Sequence, residues 1–371
     1  MATVAHGDGD NGSERVGPKH RGVTAVRYFA GIDVSLEASS VCVVDGEGRL
    51  VREVKVPSEP EALVALLGRL GLAFERIGLE AGPLSQWLHA GLEHAGLPVV
   101  LIETRHVKAA LSAMTMKTDK HDARGIAQLM RLGWFKPVHV KTLLAQEVRA
   151  LLTARKLLVE KLRDIDNSLR GILRGFGLKV GRVGKVSFAG RIRELVAGQA
   201  MLQAVIEPML QVHDALRKQH AILHRQLLWL VRDDEVCRRL MTVPGVGPVV
   251  AMTYKTAIDD PTRFARSRAV GAYFGLVPRK YQSGETDRNG RITKVGDAMA
   301  RTALFEAANV MLSRAVGFSA LKAWAMRIGA RHGTKKAKVA LARKLAVVMH
   351  RLWVDGATFR RDPMPAVASA A

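Results

Sequence analysis

The sequence predicts an α/β domain, followed by a pair of long helices and then by a mainly helical region. Between residues 26 and 135, short apolar runs typical of strands alternate with helical patterns. Residues 136–237 show an apolar heptad repeat instead, which predicts a coiled-coil arm, and residues 238–361 carry further helical patterns around glycine-rich turns. The ends, 1–25 and 362–371, are rich in small and polar residues or proline, so we expect disordered tails.

The predicted α/β domain begins with three strands. Tyr28–Ser35 is an apolar run that contains an acid near its end, and the next two runs are joined through Asp45–Gly48, which predicts a hairpin. The later elements are a helix near Glu59–Leu70, a strand ending at Glu80, a helix over Leu84–Ala95 and a strand over Pro98–Ile102. A hairpin followed by crossover units gives a mixed sheet with helices packed on it. This order resembles the ribonuclease H-like plan.

Four carboxylates lie where this fold would bring them together. Asp33 and Glu80 each close an apolar strand, and Asp119 and Asp122 are three residues apart on one face of a helix start. Carboxylate oxygens are the ligands that Mg²⁺ prefers, and two such cations about 4 Å apart can assist cleavage of a phosphodiester. One acid at a strand end is common in proteins that bind no metal. Four in this order favour a divalent-metal site, with Mg²⁺ as the expected cofactor and Mn²⁺ as a substitute.

The charge balance indicates a polyanionic partner. The 371 residues include 57 Lys and Arg against 34 Asp and Glu, which gives a net charge of +23 and an isoelectric point near 10.6. A basic surface that serves solubility alone is a weaker explanation at this magnitude. We therefore expect nucleic-acid binding that weakens as salt is added.

The composition also excludes several classes. The two cysteines, Cys42 and Cys237, lie in apolar stretches and cannot form a disulfide framework or a zinc site. No apolar run approaches the roughly 18 residues of a membrane span, and the polar start has no signal-peptide core. We expect a cytoplasmic protein associated with the nucleoid.

The heptads predict two long helices. Their apolar positions are Leu144, Val148, Leu151, Leu158, Leu162, Ile165, Leu169 and Ile172, then, after a glycine-rich break over 171–190, Leu202, Ile206, Met209, Leu216, Leu223, Leu227 and Leu230. Such helices can pair antiparallel with each other and with another protomer. His213 and His220 lie on the same seam one heptad apart, where setting the register is a better explanation than binding a metal.

Glycine turns mark two further candidate nucleic-acid contacts. Pro244-Gly245-Val246-Gly247 lies between helical patterns and resembles a helix-hairpin-helix, in which glycines let the backbone approach a phosphate, although any Gly-x-Gly turn between helices has this pattern. In the second, Ser283 precedes Gly284 among the cations Arg279, Lys280, Arg288, Arg291 and Lys294. A hydroxyl in that setting could attack a phosphodiester. From the residues alone, an ordinary Ser-Gly turn is the favoured interpretation.

The order of these motifs resembles a known family. The motifs are Gly31-Ile32-Asp33, Leu79-Glu80-Ala81-Gly82, Thr118-Asp119-Lys120-His121-Asp122-Ala123-Arg124, Pro244-Gly245-Val246-Gly247 and Phe274-Gly275-Leu276-Val277-Pro278-Arg279-Lys280-Tyr281-Gln282-Ser283-Gly284. Together they resemble the DEDD transposases of the insertion-sequence "one-ten" family, relatives of the Piv DNA invertases, over residues 27–355. One departure is Gly82, where relatives often have threonine.

The resemblance implies a mechanism that spacing alone does not give. It implies that Asp33, Glu80, Asp119 and Asp122 form a RuvC-like Mg²⁺ site and that Ser283 is the nucleophile of a separate C-terminal domain. It also implies a noncoding bridge RNA that pairs with donor and target DNA. The assembly it implies is a dimer to tetramer, in which one protomer's acids complete another's serine site.

The expected function is therefore excision and insertion of a mobile element by a DNA recombinase. A junction nuclease would use the same acids with water as the nucleophile and would not need Ser283. An architectural nucleic-acid-binding protein would explain the charge but leave the acids without a purpose. A covalent protein–DNA adduct is expected for the recombinase and not for the nuclease or the architectural protein, so it separates the first hypothesis from the other two.

Overall fold

The computed structural model describes residues 27–112, 118–313 and 317–361. The chain divides into two compact units between Val140 and Lys141. Both predicted tails, 1–25 and 362–371, lie outside the described residues, and the predicted domain boundaries at 135 and 237 stay predictions.

The first unit is a five-stranded mixed sheet with helices on both faces. Its elements are β1 (Tyr28–Val34), β2 (Ala38–Asp45), β3 (Leu50–Pro57), α1 (Pro60–Arg69), β4 (Phe74–Glu80), α2 (Ser85–His94), β5 (Val99–Ile102), α3 (Thr104–Leu111) and α4 (Asp119–Leu132). The strand order is β3-β2-β1-β4-β5, with β1, β2 and β3 antiparallel and β4 and β5 parallel to β1. This is the ribonuclease H-like order, and each strand and each helix predicted before α3 is present.

The two faces of this sheet pack against different helices, because successive side chains of a strand alternate. Ala30 and Ile32 of β1 share a core with Leu63 of α1 and Leu88 of α2. Phe29 shares the opposite core with α4. Odd-numbered positions of β1 therefore face α4, and Asp33 is the next odd position after Gly31.

The second unit is mainly helical. Its elements are α5 (Leu143–Gly175), α6 (Phe188–Leu195), α7 (Ala200–Arg232), α8 (Glu235–Leu240), α9 (Pro248–Ile258), α10 (Ala269–Tyr273), β6 (Pro278–Ser283), β7 (Thr286–Ile292), α11 (Ala298–Ser313), α12 (Ala320–His332) and α13 (Thr334–Val354). No helix in the described ranges is long and apolar enough to span a lipid bilayer.

The two 33-residue helices α5 and α7 pack against each other in antiparallel fashion. Val148, near the start of α5, shares a core with Val231, near the end of α7, and Leu173 shares another core with Leu202. Both cores lie at the ends of the pair. No side chain of α5 between residues 153 and 168 is fully buried.

The predicted break over 171–190 is wrong at its start, because α5 continues through Gly171 to Gly175. A helix tolerates these glycines at a cost of about 1 kcal/mol each relative to alanine. The rest of the segment folds back as a loop and the short helix α6, whose Phe188 and Ile192 are buried with Leu173. Composition did not reveal α6, since its few apolar residues lie among glycines and arginines.

Candidate active site

Three of the four predicted acids line one cavity in the first unit. Asp33, Glu80 and Asp122 border a space of about 810 Å³, together with Lys108. Strands β1 and β4 are parallel neighbours, and Ile32 lies opposite Leu79. The next residues, Asp33 and Glu80, therefore lie at the same edge of the sheet. Parallel pairing thus explains why two acids 47 positions apart in the chain meet.

Two glycines allow α4 to bring Asp122 to this edge. A Cβ atom on Gly31 would lie 2.2 Å from the carbonyl oxygen of Ala123, and one on Gly78 would lie 2.7 Å from Ile126. The backbone of α4 therefore packs directly on β1, at a distance that no other residue type at position 31 permits. The sequence signal for this close packing is a glycine two positions before each of the acids Asp33 and Glu80.

The start of α4 separates its two acids. Thr118 caps the helix by accepting a hydrogen bond from the backbone N–H of His121 at 3.3 Å. Both acids lie in the first turn, where the positive end of the helix dipole favours them. Asp122 faces the cavity, whereas the exposed Asp119 lies 3.4 Å from the Nζ of Lys55 on β3 and is not among the residues that line the cavity.

The donor chemistry of this cavity suits a hard divalent cation, since three carboxylates border it. The described ranges, however, contain no group of three His, Cys, Asp or Glu side chains placed closely enough to hold a metal ion. The backbone brings the acids to one edge, and the side chains as they stand do not form a closed coordination set.

Ser283 lies in the second unit, at the tip of a two-stranded hairpin. It ends β6 and pairs with Thr286 of β7, and the two residues between them make the turn. Gly284 has φ +53°, a left-handed conformation that glycine adopts without a steric penalty. Every side chain of β6 is exposed, so the serine is both an ordinary turn residue and an accessible hydroxyl.

The cations predicted around Ser283 fall into two groups. Arg279 and Lys280 of β6 and Arg288 of β7 lie along the exposed hairpin, and Lys280 forms an ion pair with Asp287 at 3.4 Å. Arg291 and Lys294 instead border a large groove at the base of the hairpin.

Glycines and one arginine hold the base of the hairpin. A Cβ on Gly275 would lie 2.3 Å from the backbone of Val295, so the segments that enter and leave the hairpin cross at backbone contact. Arg301 donates hydrogen bonds to the carbonyl oxygens of Phe274 and Val295. Asp297, which follows the hairpin, caps α11 and pairs with Arg149 of α5. Neither Arg149 nor Arg301 is predictable from the sequence, because nothing local connects them to the hairpin.

The Gly-Val-Gly turn joins α8 to α9, as its position between helical patterns predicted. Gly245 has φ +86°, and a Cβ there would lie 2.5 Å from the carbonyl oxygen of Ala307, so close packing against α11 already requires this glycine. Gly247 has open space around it and is the N-cap of α9. Phosphate contact by this turn remains a prediction, for which Gly247 is the better placed residue.

The two cysteines and the two seam histidines lie in surroundings that indicate structural roles. Burial raises the pKa of Cys42 to about 11 and that of Cys237 to about 12, which keeps both thiols protonated and poorly nucleophilic. On the α5–α7 seam, His213 Nε2 lies 3.1 Å from Asp166 Oδ1. His220 stacks on His224. These contacts fit the register-setting role better than a metal site.

The chain matches two family models. The model of IS110-type DEDD transposases, described as a transposase, matches residues 30–177, and that of the transposase IS116/IS110/IS902 family matches residues 237–323. Together they cover more than half of the chain. The first contains the acids and the second contains Ser283.

Curated relatives agree over most of the length. The transposase for insertion sequence element IS1111A of Coxiella burnetii is 29% identical over 89% of this chain and 90% of its own. The transposase for insertion sequence element IS1328 of Yersinia enterocolitica is 26% identical over 77% of this chain and 85% of its own. A solved structure of T. thermophilus RuvC in complex with Holliday junction substrate aligns with 30% of this chain and 99% of its own at 18% identity and a TM-score of 0.23, and it adds nothing to the assignment. On the family models and these relatives, the chain belongs to the IS110 family of DEDD transposases.

Proposed function

We propose that this transposase excises and inserts a mobile DNA element by attack of Ser283 on a DNA strand. The observation that carries the proposal is that Asp33, Glu80 and Asp122 meet on one cavity in a chain that also presents an accessible hydroxyl at Ser283. A binding protein has no need of either feature.

In the proposed step, the Oγ of Ser283 forms a bond to the phosphorus of a scissile phosphodiester. The bond from phosphorus to the departing oxygen of the strand breaks, and the serine proton is balanced by protonation of that oxygen. Exposed cations of the same hairpin, Arg279 and Arg288, would hold the phosphate and stabilise its developing charge. The phosphoserine link conserves the ester energy, so a second strand end can reverse the step without an external energy source.

The acids would serve this reaction by binding a divalent cation, with Mg²⁺ proposed and Mn²⁺ as a substitute. Such a cation supplies Lewis acidity at a phosphoryl oxygen. Asp33, Glu80 and Asp122 are the proposed ligands from the cavity. Asp119 is the fourth, and it would have to leave Lys55, an exposed pairing worth no more than about 1 kcal/mol.

The proposed partners are donor DNA, target DNA and a noncoding bridge RNA that selects both by base pairing. The net charge of +23 supports polyanionic partners without distinguishing among them. Sequencing the RNA that co-purifies with the protein tests the guide. Random fragments, with no single enriched species, would contradict it.

We further propose that the protein works as a dimer to tetramer. The middle of the α5–α7 pair supports this, since Leu162 and Leu223 are only partly buried within one chain. Leu223→Glu should lower the mass of the nucleic-acid-bound assembly measured by light scattering, because a charge would enter the apolar seam. An unchanged mass would assign these helices another role.

The serine mechanism is tested by trapping the adduct. Labelled DNA carrying an element end is incubated with wild type and with Ser283→Ala, and a denaturing gel reports any covalent shift. Wild type should give a shifted band that maps by peptide sequencing to Ser283, and Ser283→Ala should give none while still binding DNA. Ser283→Cys should retain a trace through its thiolate.

Two variants of the same hairpin serve as controls. Thr286→Ala removes the hydroxyl directly opposite Ser283 and should keep the adduct. Tyr281→Phe removes the other exposed hydroxyl of β6 and should keep it as well. Free DNA ends without an adduct would support a nuclease that uses water, and an adduct mapped to Tyr281 would support a tyrosine mechanism.

A further inference from the structure

A large groove lies at the base of the hairpin in the second unit. It has a volume of about 1090 Å³ and is bordered by β7, by α12 and α13, and by the segment before α10. We call it the cationic groove, because seven of its lining residues are basic and none is acidic: Arg268, Arg291, Lys294, Lys335, Lys336, Arg343 and Lys344.

These cations are available to a ligand. All seven side chains belong to exposed residues. None of them forms an ion pair with a carboxylate within the described part of the chain, in contrast to Lys280 on the neighbouring hairpin, which pairs with Asp287. Keeping seven like charges around one groove costs electrostatic energy that a bound polyanion would offset.

The floor of the groove has a different chemistry from its rim. It is made of apolar side chains such as Leu276, Val339 and Val347, with the half-buried indole of Trp324 among them. Lys344 Nζ lies 5.9 Å from the centre of the Trp324 ring, within the range of a cation–π contact. A flat aromatic surface beside cations suits a ligand that has both phosphates and exposed base faces.

We infer that the cationic groove binds an unpaired segment of a nucleic-acid strand, with a base stacked on Trp324 and phosphates held by the surrounding lysines and arginines. A duplex fits this chemistry less well, because its base faces are covered by their neighbours in the stack. The groove shares β7 with the hairpin that carries Ser283, so a strand held there runs beside that hairpin. The inference extends the proposed function by assigning a role to single-stranded substrate, and it requires neither Ser283 nor the carboxylates.

The test measures binding alone, in EDTA and in a Ser283→Ala background, so that loss of catalysis cannot affect the result. The probes are a fluorescently labelled 20-nucleotide oligo(dT), an oligo(rU) of equal length and a 20-base-pair duplex. Trp324→Leu keeps an apolar side chain in the floor and removes the aromatic face. It should weaken single-strand binding roughly 5- to 150-fold, the range for one lost stacking contact. Duplex binding should stay within twofold.

Three further variants separate stacking from folding and from charge. Trp229→Leu removes an exposed tryptophan of α7 outside the groove and should leave all three affinities unchanged. Lys335→Ala with Lys336→Ala should lower the slope of log affinity against log salt by about 1.4 for the single strand, since two phosphate contacts are lost. Trp324→Phe should restore most of the affinity that Trp324→Leu loses.

The oligomers also identify the source of the strand. A loss confined to oligo(dT) assigns the groove to DNA, a loss confined to oligo(rU) assigns it to RNA, and a loss for both supports the shared chemistry. Equal weakening of duplex and single strand by Trp324→Leu, or no weakening of either oligomer, would overturn the inference. The adduct experiment on Ser283 is independent of each of these outcomes.

Discussion

The carboxylate cavity and the serine hairpin are built in opposite ways. The cavity lies at the edge of a sheet whose central strand has buried residues from Phe29 to Ile32, and α4 is fixed there by backbone contact at Gly31. The hairpin has six exposed residues in β6 and six in β7. Among the described residues it is held at its base, by Arg301 and by the crossing of Gly275 with Val295.

This difference indicates where each site gets its precision. The sheet determines the backbone positions of Asp33 and Glu80, because both residues belong to paired strands. Only the orientation of their side chains is left to be adjusted. Within the described residues the tip at Ser283 packs against no other element, so we expect its position to be set by what it binds. We therefore expect backbone changes beside the cavity to disturb the fold that places the acids, and changes at the hairpin tip to act through substrate.

The largest expected effect is chemical, at the acids. Asp33→Asn keeps the shape of the side chain but removes its charge, and strand cleavage should fall at least about a hundredfold while DNA affinity stays within a few-fold. Asp119→Asn should give the same loss if this acid leaves Lys55 to complete the site. Gel assays of cleavage and binding on one substrate measure both.

The matched control is Glu37→Gln, an exposed carboxylate in the loop between β1 and β2. It should cleave as wild type does. Normal cleavage by Asp33→Asn would remove the metal hypothesis, whereas normal cleavage by Asp119→Asn alone would reduce the site to the three acids that line the cavity.

The second effect is on stability. Gly31→Ala places a methyl group 2.2 Å from the carbonyl oxygen of Ala123, and helix α4 has to move away from β1. We expect a loss of about 3 kcal/mol in the free energy of unfolding of the first unit, the upper end of the usual cost of overpacking. Hydrogen exchange of peptides from β1 and α4 reports it without interference from the second unit.

Gly82→Ala is the control within the same cavity, since nothing lies within 4 Å of a Cβ there. Its exchange should match wild type. Equal protection of α4 in Gly31→Ala and wild type would mean that backbone contact does not fix this helix, and the contrast between the two regions would fail.

The sequence predicted the strands of the carboxylate cavity, but of the serine hairpin it predicted only the turn at Ser283 and Gly284. Continuous apolar runs define strands such as Tyr28–Val34, and parallel pairing brings Asp33 and Glu80 to the same edge of the sheet. Asp119 is the first residue of α4 and pairs with Lys55 on β3. No periodicity in the sequence encodes this contact. Helix α6 and the cationic groove arise from contacts between distant segments, and Trp324 appears unremarkable until α13 is packed beside it.

A third effect concerns the pH dependence of stability and comes from Lys141, a partly buried lysine just before α5. Lys141 Nζ donates hydrogen bonds to the carbonyl oxygens of Thr256 and Ala257 at the end of α9, and burial, together with Arg149, lowers the pKa of Lys141 from 10.5 to about 8. Between these values the unfolded chain binds a proton that the folded chain has released. The free energy of unfolding should therefore rise with pH across this window, by on the order of 3 kcal/mol.

Lys141→Met does not titrate and isolates this contribution. Urea unfolding of the two proteins at pH 7.5 and pH 10 should show a stability difference that shifts toward wild type at the higher pH. A difference that is constant with pH would mean that the ammonium group is not desolvated in the folded chain.

The smallest effect is expected at the hairpin tip and completes the comparison. Gly284→Ala puts a side chain at φ +53° in open space, so the cost is the backbone strain alone, about 1 kcal/mol. Because the tip packs against nothing in the described residues, that strain should speed hydrogen exchange in β6 and β7 roughly fivefold and leave the first unit unchanged. Gly284→Asn should cost less, since asparagine tolerates this conformation. If Gly284→Ala instead destabilised the helices around α11, the tip would be part of the packed unit, and the placement of Ser283 would come from the fold rather than from substrate.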